Sequence, residues 1–337
     1  MKVLSLIGTA EGPYYFRSVI PGGELRKQFG WDYRTCSGSF FVHSFKHWNW
    51  TPDVLILQSV YHPAMPEIIR AVKKEYKVPI IYDIDDDLWN FPFEPNPFHP
   101  ATIAELMGLA DMVTCSSQQL ARMCEAYSGQ VAVIPNFVPD WYLEAAQNQT
   151  QKHRLGKYTI LFSGGHIHAP DLDMIAPDLF AVKKSLRDQV QFIFQGCVPA
   201  WGRQLGAAYL DTLPMKDYFL ALSSLEVDVA LAPLVDNNYN RSKSYLKMLD
   251  YGAARFPVVA TDTGEYGAFQ GRIRLVPPGE SWERPIFDLI DNEGDKNELA
   301  GRLNAWVSDH GKISSGVELW KNAIERASRS FTGLKLV

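Results

Sequence analysis

Two doubly wound, Rossmann-like α/β domains facing each other are the architecture this sequence predicts, and three observations predict it. Short apolar, β-rich runs alternate with helical stretches along the whole chain. The alternation breaks once, in NFVPDWYLEAAQNQTQKHR, where composition turns polar and flexible. After the break the pattern of strand, glycine loop and helix starts again in YTILFSGGHIHAPDLDMIAPDLFAVKKSL. The predicted domains are 1–145 and 155–316, joined by the polar segment near Ala145 to Arg154. A helix over about 317–337 is expected to return to the first domain, because Val317, Trp320, Ile324, Ala327 and Phe331 fall on one helical face. A chain of 337 residues with 46% hydrophobic content is long enough to bury two cores.

Taken in order, Lys2–Ile7 is the first strand, and GTAEGPYYFRSVIPGGELRKQFG leads from it into a helix. Gly8, Gly12, Gly22 and Gly23 suit close approach of backbone to a ligand, but their spacing is not the dinucleotide pattern. Asp53–Gln58 is the next strand, ending near Tyr61 and His62, and Pro79–Tyr82 has the continuous apolar character of a central parallel strand. Asn90–Pro100 holds too much proline for a helix or a central strand. Ala101–Ala110 reads as helix, Asp111–Ser116 as strand, and Ser117–Ala126 as helix with Ser116 or Ser117 as its cap. Val131–Pro135 closes the first half; Tyr158–Phe162, Gln191–Phe194, Val227–Ala232 and Pro257–Ala260 are the strands of the second.

A net charge of −5 gives no basic footprint for tight non-specific nucleic-acid binding. Cys36, Cys115, Cys124 and Cys197 show no metal-binding spacing and read as reduced thiols. The first apolar run stops at Gly8, and no later segment has the length of a membrane span. The expectation is a soluble cytoplasmic protein, monomer or dimer, with no membrane span.

Two stretches carry chemistry. In VPIIYDIDDDLW, Asp83, Asp85, Asp86 and Asp87 follow a strand at the end where open α/β sheets bind ligands. Crowded carboxylates perturb one another's protonation, as a general base or a metal site requires, although a solvated helix start explains them too. In the second, ALAPLVDNNYNRSKSYLKMLDYGAARFPVVAT, a polar loop after a strand leads into a helix expected to carry Arg241, Ser242, Lys243 and Ser244 in its first turn. Backbone amides, a serine hydroxyl and cations at a helix start suit a diphosphate. Asp250, farther along, can accept hydrogen bonds from ribose hydroxyls.

Three segments resemble one family in order and spacing: ADMVTCSSQQL with VAVIPNFVP, then ILFSGG, then LDYGAARFPVVAT. The last is similar to the "LEAMAAGxPVVA" segment of glycosyltransferases of the GT-B fold, nearest the glycogen-synthase-like and group 1 lipopolysaccharide-type enzymes. The family's paired glutamates, seven residues apart, correspond here to Ser242 and Asp250. Ribose binding carries over to Asp250, while the donor-sugar contact of the first glutamate is left open at Ser242. Asp85 stands where many retaining members have histidine. DIDDDLW and NRSKSYLK resemble a phage-type branch, and YNRSKSYLKMLDYGA with IIYDID is faintly similar to phage DNA β-glucosyltransferases.

The resemblance implies sugar transfer from a nucleotide diphosphate sugar, such as a UDP-sugar, to an acceptor hydroxyl. Asp85 is then the base of an inverting transfer, with Asp83 as its orienting partner and Asp86 beside it. Gly164, Gly165, His168, Arg241, Lys243, Ser244 and Asp250 are expected to bind the donor in the second domain. Gly12, Tyr14 and Trp89 are expected on the acceptor side. Asp171 either lines the cleft with His168 or caps the next helix. No cofactor is required; magnesium or manganese, at Asp85 and Asp87, is the minority reading. The alternatives are a retaining transferase, a sugar-nucleotide-binding protein without catalysis, and a transferase acting on hydroxymethylated DNA bases. The last needs a basic groove around Arg17, Arg26, Lys27, Arg34 and Lys46.

Overall fold

The computed structural model describes residues 1–8, 12–44, 50–149, 152–154 and 157–333, with side chains described except at 42–44 and 330–333. Lys46 and the side chain of Phe331 lie outside the described residues. The chain packs as two units: Met1–Phe137 with Ser242–Ser244 and Ile313–Val337, and Val138–Arg241 with Tyr245–Lys312.

The first unit is built on strands β1 (Lys2–Ile7), β2 (Asp32–Ser37), β3 (Val54–Gln58), β4 (Ile80–Ile84), β5 (Met112–Cys115) and β6 (Val131–Val133). They form a parallel sheet in the order β2-β1-β3-β4-β5-β6. Every residue of β3 and β4 is buried, as a strand covered on both faces requires. Tyr82 and Ile84 join Leu55, Leu57, Ile69 and Leu106 in the core on one face. Side-chain alternation sends Ile81, Asp83 and Thr114 to the other. The helix Ile313–Gly333 packs against the helix Ile20–Phe29 and against β3, β4 and β5, burying Val317, Trp320, Ile324 and Ala327.

β1 runs into a helical segment whose turn widens to a π-helix over Tyr15–Val19 before the regular helix Ile20–Phe29. Gly30 ends that helix in the left-handed region, φ 66°, where its N–H meets the carbonyl of Arg26. Two of the glycines before it pack against the protein itself. A Cβ at Gly8 would lie 2.1 Å from the carbonyl oxygen of Ser59, and one at Gly22 would lie 2.4 Å from the Tyr33 ring. Both are close-packing positions within the protein, and a Cβ at Gly12 or Gly23 would meet nothing within 4 Å. Ser117 caps the helix Gln118–Cys124, its hydroxyl accepting from the N–H of Leu120 at 3.2 Å.

The second unit repeats the design with β7 (Tyr158–Ser163), β8 (Val190–Gln195), β9 (Ala208–Leu210), β10 (Val229–Ala232), β11 (Val258–Thr261) and β12 (Arg274–Val276). These strands are also parallel, ordered β12-β11-β10-β7-β8-β9. The chain leaves β7 toward β8 and returns on its other side at β10, so the switch point lies between β7 and β10. DWYLEAAQN, read as flexible, is the helix Asp140–Asn148, and Tyr142 buries its ring 4.4 Å from that of Phe219. The strands that pattern reading passed over, β2, β9 and β12, all lie at sheet edges. β2 is polar and half exposed, and β9 and β12 have three residues each. Among the described residues no helix is long and apolar enough to cross a membrane.

Candidate functional site

β4 is an apolar strand with a carboxylate inside it. Asp83 has no solvent exposure and accepts from Arg17 Nε at 3.1 Å, Arg17 Nη2 at 2.7 Å and Thr114 Oγ1 at 2.7 Å. Thr114 is the register partner of Asp83 on β5, and Arg17 comes from the widened turn. Arg17, equally buried, also donates to the carbonyl of Ile134 and to Asn136 Oδ1 at 3.2 Å. Its guanidinium carbon lies 4.7 Å from the centre of the Trp320 ring. Two ions taken out of water are tolerated only with pairing this complete.

Asp85 follows the end of β4 and is 7% exposed. Its Oδ1 accepts from Asn136 Nδ2 at 2.9 Å, and its backbone carbonyl accepts from the Ser116 hydroxyl at 2.9 Å. Burial pushes its carboxyl up to about 6; the nearby Asp86 reinforces the rise, and Arg17 and the Asn136 hydrogen bond oppose it. Such a group is ionised at neutral pH and a stronger base than a free aspartate. The Asn136 amide nitrogen also lies 3.0 Å from Ser244 Oγ.

The remaining two aspartates have different roles. Asp86 pairs with Lys243 at 3.2 Å. Asp87 Oδ1 accepts from the N–H groups of Trp89 and Asn90, and its Oδ2 from Asn90 Nδ2 at 2.7 Å, so it caps the turn that follows. Burial raises its carboxyl. Both oxygens are thus engaged, and among the described residues no group of three His, Cys, Asp or Glu is placed to hold a metal ion. Trp89 stacks in parallel on Tyr127, centroids 5.5 Å apart, and Phe98 packs edge-on against Phe91 and Tyr61. Gly12 and Tyr14, at the start of the first helical segment, are partly exposed.

In the second unit, the N–H of Gly164 meets the carbonyl of Gln195 at the carboxyl end of β8. A Cβ at Gly164 would lie 2.7 Å from Lys247 Nζ and 2.9 Å from His168 Cδ2, so a larger residue there would displace these side chains; at Gly165 a Cβ would meet nothing within 4 Å. Lys247 is nearly buried, donates to the carbonyl of Ser163 and lies over the Phe162 ring. His168 Nδ1 pairs with Asp171 Oδ2 at 2.7 Å. Asp171 Oδ1 accepts from Val235 N and Asn240 Nδ2, both at 2.8 Å. Asp171 therefore ties its helix to the segment after β10 and is not that helix's cap.

Asp250, also nearly buried, accepts from the Tyr218 hydroxyl on Oδ2 at 2.9 Å, while Oδ1 has no hydrogen-bond partner among the described residues. Burial pushes its carboxyl up to about 7, against the Tyr218 hydrogen bond and the charge of Lys247.

Within the first unit the structure thus gathers Asp83, Asp85, Asp86, Lys243 and Ser244, and within the second Gly164, Gly165 and His168. Arg241 does not join either group: its exposed guanidinium forms a bidentate pair with Asp236 at 2.6 and 2.7 Å. Nor do Arg241, Ser242, Lys243 and Ser244 make one first turn. The short helix Asn238–Arg241 ends on Arg241; Ser242, Lys243 and Ser244 follow outside it, and the helix Leu246–Ala253 begins after them. The carbonyl of Ser242 accepts from the Ser117 hydroxyl at 2.6 Å and Ser244 bonds Asn136, side-chain contacts that compete with helical pairing. The proposed basic groove loses members as well, since Arg17 is fully buried and Lys27 and Arg34 pair with Glu24 and Asp32. Asn136, Lys247 and Tyr218 are site residues that the sequence does not point to individually, and Arg17, expected in a basic groove, is instead the buried partner of Asp83. For Asn136 a signal was present, in the VAVIPNFVP segment; Arg17 meets Asp83 only through the fold.

No protein-family model matches this sequence, and no curated protein matches it. Solved structures do match in fold. Anabaena Alr3699/HepE, solved in complex with UDP and glucose, has a TM-score of 0.67 at 15% identity over 96% of this chain and 99% of that one. Sucrose-phosphate synthase (tll1590) from Thermosynechococcus elongatus has a TM-score of 0.71 at 12% identity over 98% and 99%. A UDP-forming α,α-trehalose-phosphate synthase from Burkholderia vietnamiensis has a TM-score of 0.63 at 12% identity over 100% and 98%. Two six-stranded parallel sheets, each wound with helices, make the fold of this chain GT-B.

Proposed function

We propose that the protein is a glycosyltransferase that moves a sugar from a nucleotide diphosphate sugar to an acceptor hydroxyl, with inversion, and that Asp85 is the base. The observation that carries this reading is the Asp85 carboxyl, buried just past β4 and pushed up to about 6. In the step, Asp85 takes the acceptor proton as the acceptor oxygen bonds to the anomeric carbon. The bond from that carbon to the phosphate oxygen breaks, and the nucleoside diphosphate leaves. Support for the donor class comes from fold neighbours whose complexes hold UDP or UDP-glucose, and from a neighbour named as UDP-forming.

Lys243 supplies positive charge against that of the leaving diphosphate. Gly164, Gly165 and His168, at the carboxyl end of β7, and Asp250, with a free carboxylate oxygen, are the donor-binding residues of the second unit. A screen of UDP-, GDP- and ADP-sugars against the purified protein, following nucleoside diphosphate release and melting temperature, tests the assignment. Release with an inverted product supports it. A product with the donor's anomeric configuration makes the enzyme retaining, and a melting shift without release makes the protein a sugar-nucleotide binder.

A further inference from the structure

We propose that Asn136, held in one amide orientation by Arg17, is a positioning residue that keeps the Asp85 carboxylate and the Ser244 hydroxyl in register. The proposal rests on Asp85 being the base of the transfer. Asn136 is 1% exposed, and its amide lies among three partners from distant parts of the chain. Arg17 can only donate, so the amide oxygen must face it and the NH₂ must face away. That NH₂ has two hydrogens and two neighbours in reach, Asp85 Oδ1 at 2.9 Å and Ser244 Oγ at 3.0 Å.

Arg17 cannot turn to release the amide. Asp83 holds two of its nitrogens, the Ile134 carbonyl a third, and the Trp320 ring covers one face. The charged groups around Asp85 are Arg17 and Asp86, with Lys243 paired to Asp86 and Asp83 on the far side of Arg17. None of these donates a hydrogen bond to the Asp85 carboxylate; Asn136 Nδ2 does, at 2.9 Å, with the Ser116 hydroxyl, bonded to the Asp85 carbonyl, also favouring the charged form. Aspartate at position 136 has the shape but lacks the donors, and alanine lacks both.

The test compares Asn136→Asp and Asn136→Ala with the unaltered protein, after circular dichroism establishes that each is folded; Asn136→Ser replaces either variant that is not. Carbon-13 NMR of the Asp85 carboxyl gives its titration midpoint without any need for activity, and steady-state kinetics with the donor found in the screen give kcat and KM. Loss of a hydrogen bond to the charged form should raise the midpoint by about one pH unit in Asn136→Ala, the variant that decides the proposal, and by more in Asn136→Asp, where a second carboxylate beside Asp85 adds like-charge repulsion. The acid limb of kcat should move with it, and kcat should fall about tenfold or more with little change in acceptor KM. An Asp85 midpoint that stays put in the folded variants overturns the proposal, as does a kcat loss whose acid limb does not move. A shifted midpoint in a protein that transfers no sugar leaves the hydrogen-bond arrangement standing and refutes the transferase assignment instead.

Discussion

Replacing Asp85 by asparagine should impair turnover and stabilise the fold in the same variant. The carboxyl titrates at about 6 in the folded protein against an ordinary 3.8, with burial as the largest cause. A folded-state value above the unfolded one means that the fold binds the proton more tightly than the unfolded chain does. The contribution to stability is therefore complete below about pH 4 and is lost as pH rises through about 6. At roughly 1.4 kcal/mol per pH unit, the ionised carboxylate costs about 3 kcal/mol at neutral pH. An asparagine side chain in its place would keep an oxygen for the Asn136 amide and carry no charge to desolvate. Asp85→Asn should thus melt a few degrees higher than the unaltered protein at pH 7.5, with the difference vanishing near pH 4. Turnover should fall on the order of 10²–10⁴-fold while donor affinity is kept. Melting curves across that pH range, with calorimetry and rate assays on the same preparation, make the measurement. A variant less stable than the parent at pH 7.5 would show that attraction to Arg17 outweighs burial, and surviving turnover would remove Asp85 from the chemistry.

Three further outcomes follow from the same geometry. Arg17→Met leaves Asp83 buried without its cation and should destabilise the protein by about 3–5 kcal/mol in denaturant titrations; a loss below about 1 kcal/mol would mean that Thr114 alone satisfies the carboxylate. Lys243→Ala should weaken donor binding by roughly 1.5–3 kcal/mol, and calorimetry finding unchanged affinity would take Lys243 out of the donor site. Asp250 titrates at about 7, so ribose hydroxyls that favour its ionised form should make donor affinity rise with pH through that value. At pH 6.5 binding should release protons, seen as a dependence of the binding enthalpy on the buffer, and binding with no proton release would exclude contact with an ionising Asp250.

Much of the strand β4 is legible in the residues themselves. PIIYDI reads as a strand buried on both faces because apolar residues fill both sides of its alternation, and that alternation sends Asp83 and Asp85 to the side opposite Tyr82 and Ile84. The four aspartates, in contrast, are the same residue in one short stretch, and nothing local divides the work among them. Their neighbours do: a buried guanidinium at Asp83, an amide at Asp85, a lysine at Asp86 and backbone N–H groups at Asp87.

Local patterning by itself determined the strand and helix alternation, the central strands and a serine cap at Ser116 or Ser117, because propensity, period and capping act over a few residues. The tertiary structure alone decided which charges meet. Arg17 lies 66 residues from Asp83, and Asn136 lies 51 from Asp85. It also decided that Ser242–Ser244 leave the helical path, since the groups that draw them away, Ser117 and Asn136, are more than 100 residues distant in the chain. Desolvation and hydrogen bonding depend on what surrounds a group in space, and for a buried carboxylate those surroundings set the protonation on which its chemistry rests.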